Sequence, residues 1–396
     1  MSKFVLYILA ALIATVAAAP VRHRRGTTCR KPVTTVVLDV PTGTTLAATV
    51  PTNTPADDDA PSSTRTSSSG PAAAAPTNSR PAGTTTRAAD DDESTSTRAA
   101  GTSTRAASSS SAAPPASTGG AIGGLLRNLF PAGSANSWTT SPSAGNALPL
   151  SDGTFRPTNV LRSVPHRYTN APDGKRAIQA HYPRGSYTFG HNPQGGFSFY
   201  APGPLNLENA KEATFAYSVF FPEGFNFQLG GKLPGLYGGN SDAEAVGCSG
   251  GRRDDGCFSA RLMWRGQGRG EFYTYFPPSA PANQKLCNVA PSSHCNPTYG
   301  ASVGTGSFTF PTGRWTTVAE RVKLNDAGQA NGEIELFVDG RSVINVSGLV
   351  LRTSNAGKFR GMQMQTFFGG SKPEFASPKD QDVYFSDFSV AITEGF

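Results

Sequence analysis

The chain has 396 residues, a formal net charge of +7 and few long apolar runs. Residues 1–120 hold 11 Lys/Arg against 8 Asp/Glu, and residues 121–396 hold 24 against 20, so the C-terminal part carries +4 of the total. An excess this mild suits an acidic polymer as partner, predicts no nucleic-acid partner, and excludes a strongly basic binding tail. Nearly all aromatic residues lie after about residue 150, and a segment so poor in apolar bulk cannot offset its chain entropy by burial.

The N-terminus reads as a secretory signal over 1–19. Lys3 gives a positive start, 4–16 is apolar, and Ala17-Ala18-Ala19 offers a small-residue cleavage region, with Pro20 shifting the cut one residue earlier as the variant. The apolar run is shorter than the roughly 20 residues of a membrane span. A secreted, extracellular protein without a membrane partner is therefore expected. Arg24-Arg25 is a dibasic processing candidate beside Cys29. Residues 20–145 read as a disordered Ser/Thr/Pro-rich stalk, a composition that favours O-glycosylation. Its unit Thr-Arg-Ala-Ala recurs at 86–89, 97–100 and 104–107, too short and polar for a solenoid. Leu125 to Phe130 could form one or two amphipathic helical turns.

Residues 146–396 read as one all-β domain, expected to be a monomer. Strand-like runs at 197–200, 214–221, 258–264, 271–276, 315–324, 333–338, 343–350, 361–368 and 383–390 alternate with Gly, Pro, Asn and Asp. Asp339-Gly340 marks a hairpin. Many short strands without a helical period predict a two-sheet β-sandwich of jelly-roll type. Cys248/Cys257 and Cys287/Cys295 fall as two close pairs and read as loop-pinning disulfides, each contributing ~2–3 kcal/mol, with other pairings open. Asn345-Val346-Ser347 is a glycosylation sequon within a predicted strand.

Strand alternation sorts the chemistry into faces. Phe258, Ala260, Leu262 and Trp264 form a core face, with Ser259 and Arg261 opposite them. Glu271, Tyr273 and Tyr275 share one face of the next run. Pairing of these runs through the turn 266–270 would collect one serine, one arginine and two tyrosines on a concave surface. Gln363 and Gln365, projecting opposite to Met362 and Met364, would extend it, and these two glutamines with Glu271 are candidate sugar contacts. Lys232 stands between glycines and a proline, where backbone can approach a ligand. A bare wet sheet face would show the same alternation. The five histidines lack metal-ligand spacing, so no metal is expected. A sandwich hydrolase would need paired carboxylates, for which Glu333 and Glu335 are the candidates.

The pieces GGKLPGLYGG, FSARLMWR, GEFYTYFP and FRGMQMQTFFGGS, in that order over roughly 150–396, resemble polysaccharide lyase family 14 and point to a fungal-type secreted member. The resemblance implies a β-jelly roll acting on alginate-like or glucuronate-containing chains. It places the family's essential lysine on Lys232, its Ser-x-Arg pair on Ser259 and Arg261, and its Tyr-x-Tyr pair on Tyr273 and Tyr275. β-Elimination of a uronate needs a cation on the carboxylate, suited to Arg261 with Lys232. Ser259 would hydrogen-bond or position the sugar. It also needs a base for the C5 proton and an acid for the departing O4, suited to Tyr275, with Tyr273 assisting or stacking on the sugar. Neighbouring cations would favour the tyrosinate, so activity at neutral to alkaline pH is expected. The scheme requires no cofactor. The alternatives are a noncatalytic glycan-binding sandwich and a glycoside hydrolase.

Overall fold

The computed structural model describes residues 119–396. The expected signal segment, the processing site, Cys29 and the stalk as far as residue 118 lie outside the described residues. Among the described residues fifteen strands, numbered in chain order, form two antiparallel sheets. The outer sheet contains β1 (Asn136–Thr139), β2 (Arg167–Asn170), β3 (Arg176–Tyr182), β5 (Ala210–Phe220), β11 (Trp315–Lys323), β12 (Gly332–Val338), β13 (Arg341–Leu349) and β15 (Gln381–Gly395). Its order is β13-β12-β11-β5-β15-β3-β2, with β1 also pairing β15. The inner sheet contains β4 (Phe197–Ala201), β6 (Gly230–Gly239), β7 (Cys257–Arg265), β8 (Arg269–Tyr275), β9 (His294–Cys295), β10 (Ala301–Thr309) and β14 (Lys358–Phe368), in the order β4-β14-β6-β7-β8-β10-β9. This is the two-sheet sandwich of jelly-roll type that the strand pattern implies.

Alternation builds the core. Phe197 and Phe199 of β4, Phe258, Ala260, Leu262 and Trp264 of β7 and Phe272 of β8 face Phe215, Tyr217 and Val219 of β5, Val318 and Val322 of β11, and Phe385 and Phe388 of β15. The Asp339-Gly340 hairpin joins β12 and β13, and both residues take the positive φ that such a two-residue turn demands (47° and 77°).

The sandwich begins earlier than the expected boundary at 146. Trp138 of β1 pairs with Val390 and packs into the core. The helix α1 (Gly119–Leu129) lies on the outside of the outer sheet, where Leu125, Leu126, Leu129 and Phe130 meet Ala216, Ala319 and Phe337. Two alanines on adjacent strands leave the shallow surface that lets a helix approach. The helical turns expected at 125–130 are thus the end of a longer element.

One acid sits between the sheets. Glu320 of β11 is 1% exposed, and burial raises its carboxyl well above the usual range, while a hydrogen bond donated by the Leu236 amide acts against the rise. The sign follows from linkage. As pH climbs past the ordinary carboxylate range, the unfolded chain sheds this proton and the native chain keeps it. The contribution of this one group is therefore fully present at low pH and drains as pH rises, by about 1.4 kcal/mol per unit, until the folded group itself ionises. In thermal unfolding between pH 5 and 8, the stability of the wild type relative to Glu320→Gln should fall as pH rises. Parallel curves for the two proteins would contradict the raised carboxyl.

Candidate active site

The inner sheet's outward face carries a continuous cross-strand row. Tyr200 of β4 lies opposite Gln363 of β14, Gln363 opposite Gly235 of β6, Gly235 opposite Arg261 of β7, Arg261 opposite Tyr273 of β8, and Tyr273 opposite Ser302 of β10. A second row runs from Tyr237 through Ser259 to Tyr275. A third runs from Lys232 through Met263 to Glu271. Directly opposed side chains on neighbouring strands stand roughly 5 Å apart. Lys232, Ser259, Arg261, Tyr273 and Tyr275 are therefore gathered on three adjacent strands, and the pairing of β7 with β8 is the one that alternation implies.

These five side chains are each 1% exposed or less, yet they do not belong to the layer between the sheets. Tyr273 and Tyr275 cluster instead with Met263 and the Cys248–Cys257 disulfide. That disulfide ties a glycine-rich loop over the face. Ser259 Oγ donates to the carbonyl of Cys248 at 2.8 Å, and Tyr275 Oη accepts from the Gly251 amide at 3.1 Å. Tyr273 Oη accepts from the Gly300 amide at 3.3 Å, beside the second disulfide-closed loop, Cys287–Cys295. An amide aimed at a phenolic oxygen stabilises negative charge developing there. The Lys232 ammonium sits 4.0 Å from the centre of the Tyr273 ring, and the two tyrosine rings meet edge to face at 5.7 Å. The Arg261 Nη1 donates to Gln365 Oε1 at 3.1 Å.

The two glutamines join the site as a relay. Gln363 Nε2 donates to Gln365 Oε1 at 2.8 Å, and Gln365 Nε2 donates to Ser198 Oγ at 2.9 Å. Gln365 is partly exposed and touches Arg261, so it marks where solvent approaches the guanidinium. Glu271 has another role than the sugar contact expected of it. It is fully buried, with Oε1 held by Arg265 Nε and Nη2 at 2.9 and 2.7 Å and Oε2 accepting from Thr305. Arg265 in turn lies 5.9 Å from the Tyr273 ring and donates to Ser302 at 2.7 Å. The Arg265–Glu271 pair flanks the Tyr273 ring on the same face, with both carboxylate oxygens engaged by protein groups.

Tyr200 and Tyr237 also face this surface, packed edge to face at 4.7 Å. Burial raises the Tyr200 phenol, opposed by the positive charge of Arg261, so it stays a hydrogen-bond donor at neutral pH. Both lie outside the set read from the sequence, although the alternation Phe197, Ser198, Phe199, Tyr200 carries the signal for one of them. Among the described residues no group of three or more His, Cys, Asp or Glu could hold a metal ion.

The hydrolase candidates are elsewhere. Glu333 and Glu335 stand on the outer sheet, clamped with Glu212 around one guanidinium. Arg321 reaches Glu212, Glu333 and Glu335 at 2.7, 2.9 and 3.0 Å. They bracket no cleft, and the hydrolase reading falls with them.

The sequence profile of polysaccharide lyase 14 matches residues 170–388, more than half of the chain and all of the rows above. The chain belongs to this lyase family. Among solved structures, the lyase is similar to the marine PL-14 alginate lyase from Aplysia kurodai, with 30% identity and a TM-score of 0.55 over 66% of this chain and 99% of that one. It is also similar to an alginate lyase from Chlorella virus, with 28% identity and a TM-score of 0.51 over 61% and 93% of the two chains. No curated protein matches it. As a family member it is a polysaccharide lyase, which sets aside the noncatalytic sandwich.

Proposed function

We propose that the lyase cleaves a uronate-containing polysaccharide by β-elimination on the outward face of its inner sheet. The observation that carries this reading is the meeting of two cations and two phenols on adjacent strands, with Lys232 4.0 Å from the Tyr273 ring and Arg261 directly opposite Tyr273. The C5 proton of a uronate is weakly acidic because its removal adds charge beside a carboxylate. Arg261, with its planar fork, takes the carboxylate, and Lys232 adds a second positive charge. Burial at the floor strengthens both, since charge interactions grow as water is excluded. Gly235 between Gln363 and Arg261 leaves that part of the row without a side chain, and the sugar lies over it.

Tyr275, as its phenolate, takes the C5 proton and becomes the phenol, the electrons form the C4–C5 double bond, and the C4–O bond breaks. The phenol gives that proton to the departing glycosidic oxygen, which restores the phenolate. The Tyr273 ring holds the Lys232 ammonium in place, and Ser259 anchors the roof loop through Cys248. The polymer enters past Gln365. The same reading takes the protein as secreted, since disulfides such as these persist in oxidising compartments. Asn345, exposed on the edge strand β13, is open to glycosylation.

The relatives named above are alginate lyases, and alginate heads the list of substrates to try. Incubation with alginate, glucuronan and other acidic glycans should raise ultraviolet absorbance as the conjugated double bond forms, and Arg261→Ala should abolish the rise. Release of reducing ends without new absorbance would refute elimination.

A further inference from the structure

We propose that Glu320 and Tyr217 reach across the core from the outer sheet and hold the β6 bulge that turns Lys232 onto the catalytic face. The proposal rests on the reading of Lys232 given above, and both residues are positioning residues that meet no substrate.

Parity sets the problem. Lys232 and Tyr237 are five residues apart, so strict alternation would put them on opposite faces of β6. Leu233 and Leu236 are three apart, yet both lie in the inter-sheet core. The register explains this. Leu233 faces Leu262 and Gly235 faces Arg261, which leaves Pro234 as one extra residue in β6. A bulge of this kind shifts every side chain beyond it to the other face. Without it, the Lys232 ammonium would point into a layer of leucine and phenylalanine.

The sequence favours the bulge locally. Proline has no amide to leave unmet inside a sheet. Gly235 is required by close approach, because a Cβ there would lie 2.0 Å from the Ala260 carbonyl oxygen. The bulge nevertheless directs two backbone groups toward the core, where unmet polar atoms are costly. The Tyr217 hydroxyl donates to the Pro234 carbonyl at 3.1 Å, and the Leu236 amide donates to Glu320 Oε1. Tyr217 and Glu320 come from the paired strands β5 and β11, with Val318 opposite Tyr217 and Glu320 opposite Phe215. Both are 1% exposed. An apolar side chain would suit either position better if packing alone were at stake. Their polar atoms meet Pro234 and Leu236, two of the four residues that separate Lys232 from Tyr237.

Four variants test this: Glu320→Leu, Glu320→Gln, Tyr217→Phe and Lys232→Ala. Two readouts run in parallel, hydrogen exchange of the Leu236 amide in the free enzyme and kcat and KM on sodium alginate. Glu320→Leu should speed exchange of that amide and lower kcat, each by at least about ten-fold, with KM little changed and the melting temperature equal or higher. Glu320→Gln keeps the acceptor oxygen and should restore both. Tyr217→Phe should fall between. If Glu320→Leu does not fold, the contrast between the glutamine and phenylalanine variants still decides. Wild-type exchange at Leu236 in Glu320→Leu, or equal losses in the leucine and glutamine variants, would overturn the bracket. Full turnover by Lys232→Ala would instead sink the catalytic reading of Lys232, and the exchange data would judge the bracket independently.

Discussion

Arg261→Lys should lower kcat/KM by about a hundred-fold or more, although it keeps the charge. The guanidinium presents two parallel donors to a planar carboxylate, and one of its nitrogens is already fixed by Gln365 at 3.1 Å. A lysine at this position would present a point charge on a mobile stem and lose the Gln365 contact. The neighbouring Lys232 supplies part of the field but cannot supply the fork. Transition-state donors of this type typically contribute a factor of about 10²–10³ each. Because negative charge grows on the uronate as the proton leaves, the loss should fall mainly on kcat. Initial rates from product absorbance, with a melting curve to exclude unfolding, would measure it. A change under about three-fold would mean that another group neutralises the carboxylate.

Tyr275→Phe should be the other severe substitution, lowering kcat by roughly 10²–10⁴ while KM stays near wild type. The variant deletes one oxygen and leaves the ring packed against Tyr273, Met263 and the Cys248–Cys257 disulfide. It also strands the Gly251 amide, which donates to that oxygen at 3.1 Å. Some loss of order in the roof loop is therefore expected along with the chemical loss. Tyr273→Phe separates the two effects, since its oxygen likewise accepts an amide, from Gly300. A Tyr275→Phe enzyme that retains most of its turnover, with Tyr273→Phe inert, would move the proton-transfer role to Tyr273.

Much of the site could be read from alternation, and the part that could not has a physical cause. Residues 258–264 and 271–276 alternate apolar and polar side chains, with Met263 and Thr274 as exceptions, so Ser259 and Arg261, and likewise Tyr273 and Tyr275, share a face before any pairing is known. Lys232 was legible only as a residue in a glycine- and proline-rich stretch, because those residues argue against a strand. β6 is a strand nonetheless. Its glycines sit where neighbours press in, as at Gly231, where a Cβ would lie 2.0 Å from the Trp264 ring. Glu271 misled because alternation gives a face and says nothing of partners, and Arg265 and Thr305 occupy both of its oxygens. β1 was missed for a different reason. Four residues with one tryptophan find their partner some 250 positions away, around Val390, and no local pattern records that. The bulge at Pro234 belongs to the same class, since the groups that satisfy it come from the opposite sheet.

The acid clamp around Arg321 has a consequence for how a polyanion meets this protein. Arg321, Lys323 and Lys211 on that side of the sandwich are matched with Glu212, Glu333, Glu335, Glu394 and Asp326, three positive groups against five negative ones. The candidate site brings Lys232, Arg261 and Arg265 together beside Glu271. The clamp thus presents a local excess of acid, while the candidate site concentrates cations, so a charged chain is favoured at the site over the clamp. At about 0.1 M salt, where fields fade over roughly 10 Å, that bias acts only in the final approach, as an orienting torque on whichever segment of the chain arrives first.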